Sequence, residues 1–410
     1  MKNIAYFFIV KKLNNFLYRL LLTFILLDIS KIAIGNTTNY AGTPADSIRV
    51  SLLTCSPHDE IYSLYGHTAI RYEDKASKTD IVVNYGMFSF KKPFFVARFV
   101  LGLTDYEMGI QDFNDFCYEY QYFGSQVTQQ EINLTPEEKG QLLKALQDNY
   151  ANARVYRYNY FYNNCTTKAR DIILKSVNGK IVYKNGIDKS VSFRDLIHGC
   201  NANYSWASFG NDLLLGFKAD MQTTREEQQF LPDNLMRDFG QAKIVSADGS
   251  SRPLVKNTEI IVRGNDYAIA GKTKVTPQFV FITLLILIAA IVVAEFKTKK
   301  RFLWLDITLL LASGLAGLIL FVMLFSEHPT TSTNLQIFIL CPLNLYWAIY
   351  IIKNKRNERK LRKAWTFLSI MLCIGLSGRL IQVYAEGMPL LALSLLLKNC
   401  CNLYATRKND

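Results

Sequence analysis

The chain has 410 residues, with 47 Lys plus Arg against 34 Asp plus Glu and a formal net charge of +13; half of its residues are hydrophobic and its mean hydropathy lies just above zero. That is too apolar for a disordered tail and too charged for a wholly embedded bundle, so one soluble domain joined to a membrane part is expected. The positive charge does not point to nucleic acid. Thirteen basic residues sit in three short segments beside apolar runs, Lys297 to Arg301, Lys353 to Lys363, and Arg407 with Lys408, where charge sets membrane topology. The eight cysteines form no CxxC pair and four lie in the apolar C-terminal third, which argues against a zinc ribbon or a dense disulfide framework. With no metal cluster and no nucleotide loop in the sequence, no cofactor is expected.

Residues 1–35 carry Lys2, Lys11, Lys12 and Arg19 ahead of the apolar run Leu20 to Leu27, then Ala33-Ile34-Gly35, a small-x-small pattern that fits cleavage before Asn36. This reads as a secretory signal or, if uncleaved, as an N-terminal anchor; either puts residue 40 onward outside the cytoplasm. Residues 36–275 suffice for one soluble domain with a real core. Ser47 to Leu53 reads as a strand, and Thr68 to Tyr72 and Ile81 to Val83 as two more around the polar turn Glu73 to Asp80. Thr135 with Glu138 forms a capping box that opens an amphipathic helix over Pro136 to Asn149. Cys165 to Lys175, with Ala169, Ile172 and Ile173 on one face, reads as a second helix. Strands before and after helices suggest α+β. Residues 222–275 carry polar turns and wrap the domain or join it to the first span.

From Thr276 five apolar runs follow, at about 277–296, 302–325, 335–352, 365–384 and 388–404, each near the roughly 20 residues that cross a bilayer. Arg379 interrupts the fourth and Lys398 the fifth. With residues 40–275 outside, all three basic clusters fall on the cytoplasmic side, as the positive-inside rule requires. Residues 276–410 are thus expected to be an all-α bundle of about five transmembrane helices.

Two segments bear chemistry. Tyr62 to Arg71 places His67 after a glycine at the start of an apolar strand, and Tyr160 to Lys168 places Cys165 at the first turn of a helix. A thiol there meets unpaired N–H groups and the positive end of the helix dipole, which lower its pKa, and a nearby imidazole could hold the ion pair. The residues leave alternatives open: Cys165 as a small buried residue and His67 as a satisfied core or turn histidine. His58 is expected in a surface or cap role, and Cys55 and Cys117 as core thiols or as a disulfide.

The segments CSPHDEIYSLYGHTAIRYED, VVNYGMFSF, YNYFYNNCTTKARD and SFRDLI, with SEHPTTSTN followed by PLNL, resemble the Lnb family, lipoprotein N-acyltransferases of Gram-negative Bacteroidetes-type bacteria. The order of histidine first and cysteine later also resembles permuted papain-like folds such as the lecithin:retinol acyltransferases. The resemblance implies a permuted papain-like cysteine-enzyme domain, with Cys165 as nucleophile and His67 as base. Asn84, in Val-Val-Asn-Tyr-Gly, stands where such sites carry the polar partner of the imidazole, or else is a strand-end residue. The Cys165 backbone N–H would join the oxyanion hole.

Tyr62 and Tyr65 are candidates to donate to an oxyanion or, like most of the 23 tyrosines, to pack the core. His328, in the short outer loop after the second span, would touch a lipid headgroup or the acceptor peptide, or be an interfacial loop residue. Arg379 is either functional or snorkels toward the outer face near Glu386. The implied activity moves a fatty acyl group from a membrane phospholipid to the N-terminal amine of lipoproteins, at the periplasmic face of the inner membrane. The rivals are a membrane-anchored cysteine peptidase or amidase and a non-enzymatic envelope sensor.

Overall fold

A computed structural model describes residues 47–89, 93–184, 186–188, 190–265 and 274–408; the expected signal or anchor lies outside them. The chain divides into a unit that ends at Ser47 and a larger one from Ile48 onward, which holds both the periplasmic and the membrane parts.

The periplasmic part runs β1 (Ile48–Cys55), β2 (His67–Asp74), β3 (Thr79–Met87), α1 (Phe95–Val100), β4 (Asp105–Asp112), α2 (Phe113–Tyr122), β5 (Val127–Ile132), α3 (Pro136–Asn152), β6 (Val155–Arg157), α4 (Cys165–Lys175), β7 (Lys180–Val182), α5 (Phe193–Asn201), α6 (Ser205–Leu214), α7 (Arg225–Gln228), α8 (Pro232–Gln241), β8 (Lys243–Val245), β9 (Ser251–Pro253) and β10 (Val255–Val262). Seven strands form one antiparallel sheet in the order β10-β5-β1-β2-β3-β4-β6. The three strands expected from the sequence are its middle. Val50, Leu52 and Ile70 are fully buried, and α3, α4 and α8 cover them with Leu142, Leu146, Ala169, Ile173, Leu235 and Phe239. Each such side chain withdrawn from water contributes about 1.5–3 kcal/mol. The class is α+β, as expected.

The capping box at Thr135 forms as the sequence suggested, and Glu138 is then buried by a further bond from the Asn178 N–H and by Arg252 at 2.5 Å. Residues 222–275 do more than connect: α8 fills the core and β10 completes one sheet edge. His58 departs from its expected surface or cap role. It is buried, its ring stacked on Phe123 at 4.3 Å, because the 56–66 turn folds beneath the end of α2. Cys55 and Cys117 share a core cluster and are both free thiols.

The membrane part comprises α9 (Pro277–Thr298), α10 (Leu303–Met323), α11 (Leu343–Lys353), α12 (Glu358–Ser377) and α13 (Met388–Lys408). Four stretches are long and apolar enough to cross a bilayer: 277–298, 303–323, 335–353 and 388–407. The expected fourth span, 365–384, falls on α12 and the turn after it, which together lead from the basic 353–363 loop to the outer loop that holds Gln382. Its helix begins in the charged run Glu358 to Lys363 and ends at Ser377, so its apolar length is about 21 Å at ~1.5 Å per residue, short of the ~30 Å hydrocarbon core. It still packs into the bundle through Trp365, Leu368 and Leu372. A short turn, Gly378–Leu380, follows, and Tyr384 Oη donates to the Gly375 carbonyl left free by the helix end.

Lys398 does not weaken the fifth span. It is buried, with Glu295 and Asp306 each 3.0 Å away, and Asn402 donates to Asp306. The group ties α9, α10 and α13 together, since a charge in the membrane is tolerated when it is paired inside the bundle.

The two parts are joined by a polar clasp. Arg194 on α5, 1% exposed, binds Asp212 and Asp220 at 2.7 and 2.6 Å. Gln336 and Gln382, in the outer loops of the bundle, donate to the carbonyls of Asp212 and Leu215, and Asn334 donates to that of Leu213. Along α6, Phe209, Leu213 and Leu214 pack onto the apolar cluster of the bundle. The periplasmic domain is therefore held against the outer ends of the membrane helices.

Candidate active site

The site forms where the sheet meets α4. Pairing of β1 with β2 sets Cys55 opposite His67, and pairing of β2 with β3 sets Ala69 opposite Asn84. Gly66 makes the turn into β2 at φ +73°, and a Cβ there would stand 2.6 Å from the Cys55 carbonyl oxygen, so only glycine lets the histidine enter the ladder at this point. Beyond Asn84 the β3–β4 register shifts, and Gly86, at φ +85°, lies against Cys165.

The cysteine is placed by its asparagines. Asn164 caps α4: its Oδ1 accepts from the Thr167 N–H at 2.9 Å, while Thr167 Oγ1 accepts from the Asn164 N–H. Its Nδ2 donates to the carbonyls of Tyr160 and Phe230. Asn159 Oδ1 accepts from the N–H groups of Phe161 and Tyr162, and Asn163 Nδ2 donates to the Arg157 carbonyl. The run Asn159 to Thr167 is thereby locked so that Cys165 opens the helix with its own N–H among those lacking an intrahelical acceptor.

His67 Nε2 lies 3.0 Å from Asn84 Oδ1, which leaves Nδ1 for Cys165, and the two groups are close enough for each to shift the pKa of the other. Burial alone would raise the Cys165 thiol. The His67 charge and hydrogen bond, the Thr68 N–H and the Thr166 hydroxyl outweigh it and bring the thiol down to about 7. Burial likewise opposes charge on His67, but the Cys165 thiolate and Asn84 raise its pKa above the ordinary value. Each group thus favours the charged form of the other. The residues Cys165 and His67 are each of intermediate exposure.

A family model for the Lnb N-terminal periplasmic domain matches residues 37–199, and a model for the Lnb transmembrane domain matches residues 269–410. The chain belongs to the Lnb family. No curated protein and no solved structure matches it. It is a multi-pass membrane protein of the Lnb type with a periplasmic domain.

In this Lnb chain the remaining sequence-selected residues take different places. The Tyr65 hydroxyl accepts from Asn201 and Asn211 at 2.9 and 2.7 Å, which occupies it as an anchor to α5 and α6. Tyr62 is half-exposed and meets Phe88 edge-on at 5.9 Å. His328 does not meet the Cys–His pair: its Nε2 donates to the Phe99 carbonyl at 2.9 Å, docking the outer loop on α1. Beside it, Glu327 accepts from Arg157 at 2.7 Å. A chain of rings leads from His328 to Tyr62, with Phe99–His328 at 5.8 Å, Phe95–Phe99 at 6.3 Å, Phe88–Phe95 at 5.5 Å and Tyr62–Phe88 at 5.9 Å.

Sequence reasoning missed the supports of the pair. Asn84 Nδ2 reaches Gln111 Oε1 at 3.4 Å, and Gln111 Nε2 donates to Glu119 at 3.1 Å, a line from imidazole to carboxylate that crosses β3, β4 and α2. Thr68 and Thr166 hydroxyls meet at 3.1 Å, and the latter stands 3.8 Å from the sulfur. The only sequence trace of these was that Thr68 and Thr166 each follow a selected residue.

Proposed function

We propose that this Lnb protein is a lipoprotein N-acyltransferase of the inner membrane, with Cys165, His67 and Asn84 as its catalytic residues in a permuted papain-like arrangement. The observation that carries the reading is Cys165 at the start of a helix beside His67, whose ring Asn84 holds at 3.0 Å, in a domain clasped to the outer ends of apolar helices. The Cys165 thiolate attacks the ester carbonyl carbon of a membrane phospholipid. The oxyanion that forms is met by the Cys165 backbone N–H. Collapse breaks the ester C–O bond, His67 gives its proton to the leaving oxygen, and lysophospholipid departs from a thioester.

The α-amine of a lipoprotein's N-terminal diacylglyceryl-cysteine then attacks that thioester. His67 takes a proton from the amine, the C–S bond breaks, and the amide leaves with the thiolate restored. Water would divert the thioester to free fatty acid, so the site needs dry walls. Tyr106, Tyr158 and Phe88 supply them, with Tyr106 and Tyr158 at 4.1 Å. The aromatic path from Phe88 to His328 suits an acyl chain that reaches up from the bilayer, and Tyr62 and His328 lie at its two ends as substrate contacts.

The test is expression of the chain in a host deprived of its own N-acyltransferase, with lipoprotein N-termini read by mass spectrometry. N-acylation by the wild type and none by Cys165→Ser is expected. A free amine with the wild type defeats the activity; acylation by Cys165→Ser defeats the residue assignment.

A further inference from the structure

A cleft of about 380 Å³ opens at the outer end of the membrane bundle, between the start of α9 and the turn that joins α12 to α13. Gln278, Arg379, Glu386, Gly387, Leu390 and Leu393 line it. Its lip is apolar and exposed, Leu380 at 90%, with Ile381 and Val383 beside it, as expected of residues that face lipid. Arg379 is exposed and Glu386 partly so. Among the described residues neither makes an ion pair, with the other or with any third group. Both charged groups are thus open in the cleft at the outer end of the bundle.

We propose that this cleft binds the headgroup of a zwitterionic glycerophospholipid, with Arg379 on the phosphodiester and Glu386 on the ammonium group. A guanidinium matches phosphate with two parallel N–H bonds, Gln278 adds an amide donor or acceptor, and Leu390 and Leu393 continue the wall downward for an acyl chain. A diacylglyceryl lipoprotein carries no phosphate on its lipid, so the cleft selects the phospholipid. The next residues, Gln382 and Val383, bond to Leu215 and Asp220 of the periplasmic domain. The cleft is therefore fixed relative to α5 and α6, and through Tyr65 to the strand that bears His67. As a docking point for the acyl donor the site rests on the acyl-transfer reading; as a headgroup site it stands without it.

The experiment uses the full chain in detergent micelles and native mass spectrometry with dioleoyl phosphatidylethanolamine, dioleoyl phosphatidylglycerol, dioleoylglycerol and inorganic phosphate as probes. Wild type is expected to retain phosphatidylethanolamine over dioleoylglycerol, and Arg379→Gln to lose that adduct about tenfold. Glu386→Gln is expected to keep phosphatidylglycerol and lose the preference for phosphatidylethanolamine. Retention by Arg379→Gln equal to wild type overturns the proposal, and displacement of the lipid by inorganic phosphate would make the site one for free anions instead. In transacylation, Arg379→Gln should raise the half-saturating phospholipid about tenfold and leave that of the lipoprotein unchanged. An adduct that depends on Arg379 in a protein that never acylates would support the headgroup site and defeat the activity.

Discussion

Two of the places where charge is taken out of water in this molecule are built in opposite ways. In the bundle, Lys398 is ringed by Glu295, Asp306 and Asn402, and the carboxylates take further bonds from the Phe302 N–H and from Asn402. None of these side chains has a buried polar atom without a partner, and each is at most 5% exposed. In the periplasmic domain, the His67 imidazole has Asn84 as a further partner, the Cys165 sulfur has the Thr68 N–H and the Thr166 hydroxyl, and both residues are of intermediate exposure. The first arrangement holds helices together; the second leaves a thiol that the proposed reaction would use as its nucleophile. Burial of a charge therefore does not mark a function, whereas incomplete satisfaction next to an open surface does.

The contrast can be broken from either side, and the largest effect is expected in the membrane. Lys398→Met leaves Glu295 and Asp306 buried without their cation, which costs about 3–5 kcal/mol. Recovery of folded protein in detergent and its thermal unfolding should fall sharply. Replacement of all three charged residues by apolar ones of similar size should restore most of the loss, and failure to do so would give the group a role beyond packing.

At the site, His67→Asn should leave the fold intact and lower acyl transfer by about 10²–10⁴. The same variant tests the ion pair by pH. The imidazolium favours the thiolate and so lowers the thiol; its removal raises it. Alkylation of Cys165 by iodoacetamide should rise through pH about 7 in the wild type and only at about 8.5, the ordinary thiol range, in His67→Asn. An unmoved profile would mean that the helix terminus alone sets the thiol. Asn84→Ala should have a smaller effect, a fall of about 10–100-fold. Because Asn84 orients the ring rather than reacts, kcat should fall with the half-saturating concentration of either substrate little changed.

Much of the centre of this molecule is legible in the sequence, because short-range rules govern it. The capping box at Thr135 starts α3 at Pro136, and the polar residue ahead of Cys165 starts α4 where expected. Alternating apolar residues give the three middle strands, though each extends by a few residues where ladder bonds continue beyond the apolar run. The outer strand β10 is opaque, since an edge strand with one wet face needs no apolar alternation and Lys256, Asn257 and Glu259 are all exposed.

The candidate site divides along the same line. His67 and Cys165 stand out because each sits at the first residue of an element, a local signal. Gln111, Glu119 and the Arg194 clasp do not, since Gln111 reaches Asn84 27 residues away and Arg194 reaches Asp212 and Asp220 18 and 26 residues away, contacts that depend on sheet register and helix docking. The charges within the apolar runs mislead for the same reason: read alone, Lys398 weakens a span, and only its distant partners Glu295 and Asp306 reverse that.

The most direct measurement is to trap the acyl-enzyme. The full chain in phosphatidylethanolamine nanodiscs, with no lipoprotein added, should carry one fatty acyl group, mapped by peptide mass spectrometry to Cys165, released by hydroxylamine and absent from Cys165→Ala. Addition of a diacylglyceryl peptide should discharge it onto the peptide amine. A chain that acylates the peptide with no acyl group ever found on Cys165, or with the group on another residue, would contradict the mechanism.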